Sequence, residues 1–290
     1  VHVDWAELPP AVRDAILSHT GPVNDVTPIR RGQSCDLAAV LHIAHRRVFV
    51  KGVRGARTPR MRRLRNETTQ GELAAGLAPA VLFHVDTDDW LIVAFEYVDG
   101  RPASFAPGSP DLPLVAETLG RLSMCGAPEI RSLRERWAGG RWWHTLGGEH
   151  PEVLDEWAKS NLTRLTRWEQ RAPELVDGTV LLHTDLHQQQ FLITESSGVR
   201  VIDWSWPAVG APWVDTAFLV IRLIGAGHTP EQAEKWAGTV PGWHTASEEA
   251  LTAFAAYVSG LWRYRAITAP APGGAARATT AQTYAAHRLS

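Results

Sequence analysis

The residues best suited to chemistry sit in two short stretches, LLHTDLHQQQFLI from Leu181 to Ile193 and VRVIDWSWP from Val199 to Pro207. An apolar run delivers His183 and Asp185 into a polar loop, a second apolar run leaves that loop, and a third ends at Asp203. Pairing of the short strands is expected to set Asp185 and Asp203 on one rim. Two carboxylates and several amides on such a rim suit a divalent cation and a substrate hydroxyl, because hard oxygen donors hold Mg2+ and a carboxylate can take a hydroxyl proton. The same stretch permits a different chemistry. On an extended strand His183, Asp185 and His187 alternate onto one side, where they could bind a transition metal with Asp203 as a further ligand.

Upstream, Lys51 lies in the β-rich run Val48 to Val53 and is the only lysine before position 159. An inward-facing ammonium there could reach a phosphate, whereas an outward one would be a snorkelling surface group. Arg31-Gly32-Gln33-Ser34-Cys35 reads as a turn between two strands.

The elements that must position these residues follow from pattern and punctuation. Ala38 to Ile43 and Val48 to Val53 read as a hairpin, Pro59 to Leu77 as a helix, and Ala80 to Val85 and Trp90 to Val98 as two more strands. After Asp99-Gly100-Arg101-Pro102 the chain turns helical. Helices are expected over Pro113–Cys125, Pro151–Trp168, Trp213–Ile224, Pro230–Trp236 and Glu248–Arg265, with a last short one after the Pro- and Gly-rich stretch 269–276. Thr229-Pro230-Glu231-Gln232 and Thr245-Ala246-Ser247-Glu248 read as capping boxes. Three short strands, Val180–Leu182, Phe191–Thr194 and Val199–Ile202, interrupt the helices. This predicts an α+β chain of two lobes, residues 1–98 and 99–290, with a hinge near 98–102.

His183-x-Asp185, the carboxamide of Gln190 and Ile202-Asp203-Trp204 resemble the catalytic and metal-binding loops of the aminoglycoside phosphotransferase and choline-kinase-like family. That family's loop usually reads H-G-D-x-x-x-x-N, with I-D-W or a close variant about a dozen residues later. Gly210 to Asp215 (GAPWVD) is similar to its G-D-P-x-x-D segment. The resemblance runs from about residue 25 to about 265, and 183–215 carries most of its specificity. It implies a protein-kinase-like fold, with a small, mostly antiparallel β N-terminal lobe holding one main helix and a larger helical C-terminal lobe.

The resemblance also implies roles. Asp185 would orient the acceptor hydroxyl and accept its proton. Asp203 would bind Mg2+, with Gln190 completing the metal site. Lys51 would reach the phosphates of ATP or GTP, held by Glu67 in preference to Glu72. Gly32 and Ser34 would belong to the phosphate-covering loop, and Glu96 to Val98 to the segment whose main chain meets the nucleobase. His183 would buttress the loop and Asp215 would tether it through backbone hydrogen bonds. The activity implied is transfer of a γ-phosphoryl group to a small-molecule hydroxyl, on an aminoglycoside or another antibiotic, for example. Gln190 departs from the family's Asn. Its stem is one methylene longer, which raises a rival reading: a nucleotide-binding pseudoenzyme with a regulatory or scaffold role.

Composition narrows the field. The chain has 290 residues, 44% hydrophobic and 21% charged, enough for a large core. Its 29 Lys+Arg against 31 Asp+Glu argue against a nucleic-acid partner, despite six arginines between Arg54 and Arg65. Its apolar runs are too short for a membrane span, and the start of the chain does not read as a signal peptide. Cys35 and Cys125 make neither a disulfide framework nor a zinc pattern, so a cytoplasmic protein is expected. Thirteen tryptophans are many, and Trp204 and Trp206, next to Asp203, are candidates to border the acceptor. Residues 101–290 hold 17 basic and 19 acidic groups, so no acidic basin for a polycationic sugar is apparent. Local acidic clusters lie at Glu149, Glu152, Asp155 and Glu156 and at Glu248-Glu249.

Overall fold

Strict alternation in the first sheet decides which side chains meet which helix. The computed structural model describes residues 2–30, 35–55, 58–74, 76–127, 129–196 and 198–290, with 69–72 described by backbone alone. Helix α1 (Pro10–Thr20) precedes β1 (Asp25–Pro28), β2 (Leu37–Ile43), β3 (Arg46–Arg54), α2 (Pro59–Leu73), β4 (Val81–Thr87), β5 (Trp90–Glu96) and β6 (Gly100–Pro102). Then come α3 (Leu112–Leu122), α4 (Leu133–Trp137), α5 (Trp142–Glu149), α6 (Glu156–Leu175), β7 (Val180–Leu182), β8 (Phe191–Thr194), β9 (Val199–Val201) and β10 (Ala208–Gly210). Helices α7 (Val214–Gly225), α8 (Pro230–Ala237), α9 (Glu248–Thr268) and α10 (Gly274–Leu289) complete the chain.

Two compact units emerge from the contacts: residues 1–102 with 189–207, and residues 103–188 with 208–290. A single linear boundary at 98/99 cannot express the return of 189–207 to the first unit. In that unit an antiparallel sheet of order β1-β2-β3-β5-β4 has an apolar cluster on each face. Leu37, Ala39, Leu41, Val48, Val50 and Ile92 pack with Val12 and Ile16 of α1. Ala38, Val53, Leu91 and Val93 pack with Met61 and Leu64 of α2. Period two therefore turns Lys51, between Val50 and Gly52 and opposite Ala38 and Val93, toward the α2 side. A smaller sheet, β6-β8-β9, belongs to the same unit.

The second unit is mostly helical, with β7 and β10 paired antiparallel. Its core is aromatic: Trp137 stacks on Tyr257 with ring centroids 4.0 Å apart, and Phe254 meets Trp137, Trp213 and Phe218. Trp137 and Trp213 are thus packing residues. No described helix is long and apolar enough to cross a membrane.

The differences from the sequence reading have local causes. Helix α1 precedes the first element read from the sequence, and its Val12, Ile16 and Thr20 recur every four residues on a buried face. Pro151 opens only a short 3-10 turn, because Asp155 accepts from the Ala158 N–H and starts α6 there. The Thr229–Gln232 capping box forms. Thr245 caps nothing, since its hydroxyl donates to the Gly242 carbonyl within a 3-10 turn and Ser247 caps α9 instead.

Candidate functional site

In the first unit, strand, helix and turn bring three of the singled-out residues together. Lys51 Nζ lies 2.8 Å from Glu67 Oε2 on α2 and 3.1 Å from Asp203 Oδ1, just past β9. Glu67 is thus the lysine's partner. Ser205 Oγ lies 3.0 Å from Glu67 Oε1 and 2.8 Å from Asp203 Oδ1, so one hydroxyl proton is shared between two carboxylates. The Asn66 amide donates to the Ser205 carbonyl and fixes that turn to α2. Asp203 sits at φ +67°, a left-handed conformation that Asp tolerates better than most residues.

The charge balance of this group is set by burial. Desolvation works against the Lys51 ammonium, but attraction from Glu67 and Asp203 outweighs it and lifts the group above its ordinary value. Burial pushes the Glu67 carboxyl up, opposed by Lys51. Lys51 therefore stays cationic with two carboxylates against it, the charge state a phosphate-binding lysine needs.

Gln190 is buried at the end of the turn Gln188–Gln190, and its carbonyl accepts from the Ile202 N–H at 3.0 Å. Pairing of Phe191 with Val201 sets Gln190 beside the residue that precedes Asp203. Two oxygen donors, the Asp203 carboxylate and the Gln190 amide, thus come from one hairpin. Mg2+ is commonly held by one or two carboxylates, with substrate phosphates and water filling its other positions. The donor set fits that ion, and among the described residues no group of three or more His, Cys, Asp and Glu could make a cage of its own.

Glu96 ends β5 with an exposed side chain, its N–H donating to the Ala80 carbonyl, and Val98 follows, half-buried. Between them Tyr97 lies under the Arg47 guanidinium at 4.2 Å. Gly32 and Ser34 lie outside the described residues. Four of the arginines of 54–65 are engaged locally: Arg60 pairs with Asp36, Arg54 with Asp89 and Arg65 with Asp86, and Arg63 stacks on the half-exposed Trp206. Trp204 is buried, its indole N–H donating to the Val201 carbonyl.

The second unit holds the loop after β7. Asp215, in the first turn of α7, accepts from the His183 N–H at 2.7 Å and the Thr184 N–H at 2.9 Å. This is the backbone tether expected of it. Burial pushes the Asp215 carboxyl up, and the two N–H groups oppose that rise. Thr184, where the family pattern has Gly, is held at φ +62°. Its hydroxyl accepts from Arg136 at 3.1 Å. Asp185 follows, 43% exposed at the side chain, with Arg222 Nη2 3.4 Å from its Oδ1. The transition-metal alternative fails on the same geometry. The left-handed residue at 184 breaks the strand alternation that would align His183, Asp185 and His187, and His183 is fully buried.

Ser205, Arg136 and Arg222 are absent from the sequence reading. Ser205 carried a signal, standing two residues after Asp203. The arginines, 48 and 37 residues from their partners, carried none.

Solved structures share this fold at low identity. The aminoglycoside phosphotransferase APH(4)-Ia is 13% identical with TM-score 0.65, over 96% of this chain and 97% of that one. A thermostable mutant of it, solved as a ternary complex with AMP-PNP and hygromycin B, is 15% identical with TM-score 0.64, over 96% and 98%. Choline kinase LicA from Streptococcus pneumoniae is 16% identical with TM-score 0.65, over 96% and 98%. The fold is the α+β, protein-kinase-like one. No curated protein sequence matches the chain. Residues 25–248 match the phosphotransferase enzyme family, and the chain belongs to that family.

Proposed function

We propose that this protein transfers the γ-phosphoryl group of ATP or GTP to a hydroxyl of a small molecule. The observation that carries the reading is Lys51 held between Glu67 and Asp203. Phosphoryl transfer uses a lysine fixed by carboxylates in this way to position and neutralise the donor phosphates. The ternary complex of the APH(4)-Ia mutant supports a nucleotide donor and a small-molecule acceptor.

In this reading Lys51 binds the donor's phosphate oxygens while Glu67 fixes its stem. The main chain at Glu96 to Val98 meets the nucleobase. Asp203 and Gln190 would hold Mg2+, which when bound neutralises charge on the phosphates. Asp185 orients the acceptor hydroxyl and takes its proton as the acceptor oxygen bonds to the γ-phosphorus. The bond from that phosphorus to the β–γ bridging oxygen breaks, and ADP or GDP leaves. Asp215 keeps residues 183–185 in place. A cytoplasmic setting, where nucleotide triphosphates are abundant, suits this reading and two cysteines that are not joined in a disulfide.

The test is a thermal-shift series with ATP and with GTP, with and without Mg2+, alongside nucleoside diphosphate release. A Mg2+-dependent rise in midpoint is expected, lost in Asp203→Ala and kept in Asp185→Ala, with diphosphate release abolished in both. No rise with either nucleotide would refute the reading. The pseudoenzyme rival is favoured by Gln190 alone. Binding without turnover in the natural chain, with turnover appearing in Gln190→Asn, would decide for it.

A further inference from the structure

Arg222 pairs with Asp185, and it is the more deeply set of the two. Its side chain is 14% exposed against 43% for Asp185, so the guanidinium lies under a carboxylate open to solvent. The Asp185 contact, at 3.4 Å, is at the long limit of a hydrogen bond. Trp262 packs against the guanidinium at 4.9 Å, and Nε is buried with no hydrogen-bond partner among the described residues. A buried guanidinium with one weak contact and one unsatisfied N–H has capacity for a further oxyanion. Burial and Arg277 push the group down to about 10, against the pull of Asp185, so it remains charged at neutral pH.

The surroundings repeat the sign. Arg136 donates to Thr184 beside Asp185, and it feels Arg131 and Arg265 in turn. Four carboxylates of this unit's acidic clusters are engaged elsewhere. Asp155 holds Gln282, Glu156 pairs with Lys159, Glu249 with Arg171 and Glu248 with Arg288. Asp215 is committed to the His183 and Thr184 amides. A polycationic acceptor brought to Asp185 would meet like charge.

We propose that the acceptor is a hydroxy compound bearing an oxyanion, a carboxylate or a phosphate, and that Arg222 binds that anion while Asp185 receives the hydroxyl. This rests on the reading of Asp185 given above. It departs from a cationic aminosugar as the substrate class.

Four polyols that differ in one terminal group test it: sorbitol, gluconate, sorbitol 6-phosphate and glucamine. Each is titrated into the whole protein with Mg·ADP while the unfolding midpoint is read, and into Mg·ATP while ADP release is read. Gluconate or sorbitol 6-phosphate is expected to half-saturate at about tenfold lower concentration than glucamine or sorbitol. The order of the two anions tells carboxylate from phosphate. Arg222→Met should erase the preference and Arg222→Lys should keep most of it. A packing role would reverse that order. Equal response to all four, including no response, preference for glucamine, or a preference that survives in Arg222→Met overturns the inference. Asp185→Asn separates the two readings. An anion preference in the midpoint with ADP release unaffected by Asp185→Asn would sink the role of Asp185 and leave the anion site standing.

Discussion

At the scale of single residues, the loop carrying Asp185 is held in a conformation its sequence resists. A β-branched residue at φ +62° pays for the clash of its Cβ, roughly 1–2 kcal/mol. Thr184 persists there because two anchors over-determine it: Asp215 takes its N–H and Arg136 its hydroxyl. Replacing it separates strain from bonding. Thr184→Ala keeps the strain and loses the hydroxyl, whereas Thr184→Gly loses both. Chemical denaturation should find the Gly variant more stable than the Ala variant by about 1 kcal/mol, after the entropic cost of glycine in the unfolded chain. The reverse order would mean that the turn is not strained. Ser205 gives a second residue-scale expectation. Ser205→Ala leaves Glu67 and Asp203 both facing Lys51 without the proton they share. The apparent affinity for Mg·ATP, read by thermal shift, should fall about tenfold, the worth of one charge-assisted hydrogen bond. An unchanged affinity would remove Ser205 from the site.

At the scale of elements, caps decide where helices begin, and one cap sets a pH response. Glu169 on α6 is buried and accepts from the Trp143 and His144 N–H groups at the start of α5. Burial outweighs those bonds and pushes its carboxyl up to about 7. The folded protein therefore binds a proton more tightly than the unfolded chain. The stability that Glu169 contributes is full below its ordinary value and is lost as pH rises through 7. By linkage the loss is on the order of 3 kcal/mol. Unfolding free energy should thus fall between pH 5 and pH 8, and Glu169→Gln should flatten that part of the profile. An unaltered slope would locate the titration elsewhere. The capping of α9 is a plainer case. Ser247→Ala should cost about 1 kcal/mol in a denaturation midpoint. Thr245→Ala should cost less, since its hydroxyl serves the preceding turn and not the helix.

At the scale of the whole molecule, the sequence showed what local pattern and recognisable spacing carry and hid what only the tertiary fold creates. Lys51, Glu67 and Asp203 were legible because a strand lysine, a helix carboxylate sixteen residues on and an I-D-W triplet are recognisable along the chain, and the fold joins them. The strands of the main sheet from β2 to β5 were legible as β-rich runs, with short polar links separating β2 from β3 and β4 from β5. Arg136 and Arg222 were not, because an arginine on a helix looks the same in sequence whether it meets solvent or a loop far along the chain. Nor was the grouping of 189–207 with the first hundred residues, which follows from β8 pairing with β6, the Val201 N–H donating to the Leu77 carbonyl and Asp203 meeting Lys51. Amide hydrogen exchange of the whole protein at low denaturant tests that grouping, since residues that open as one cooperative unit share an opening free energy. The Val201 amide is bonded to Leu77 and the Ile202 amide to Gln190, both within the first unit. They should exchange with the same denaturant dependence as the β3 and β5 amides. If they follow the amides of α9 instead, the segment carrying Asp203 belongs to the helical unit, and the Lys51–Asp203 pair is a contact made late in folding and not part of the first unit's own structure.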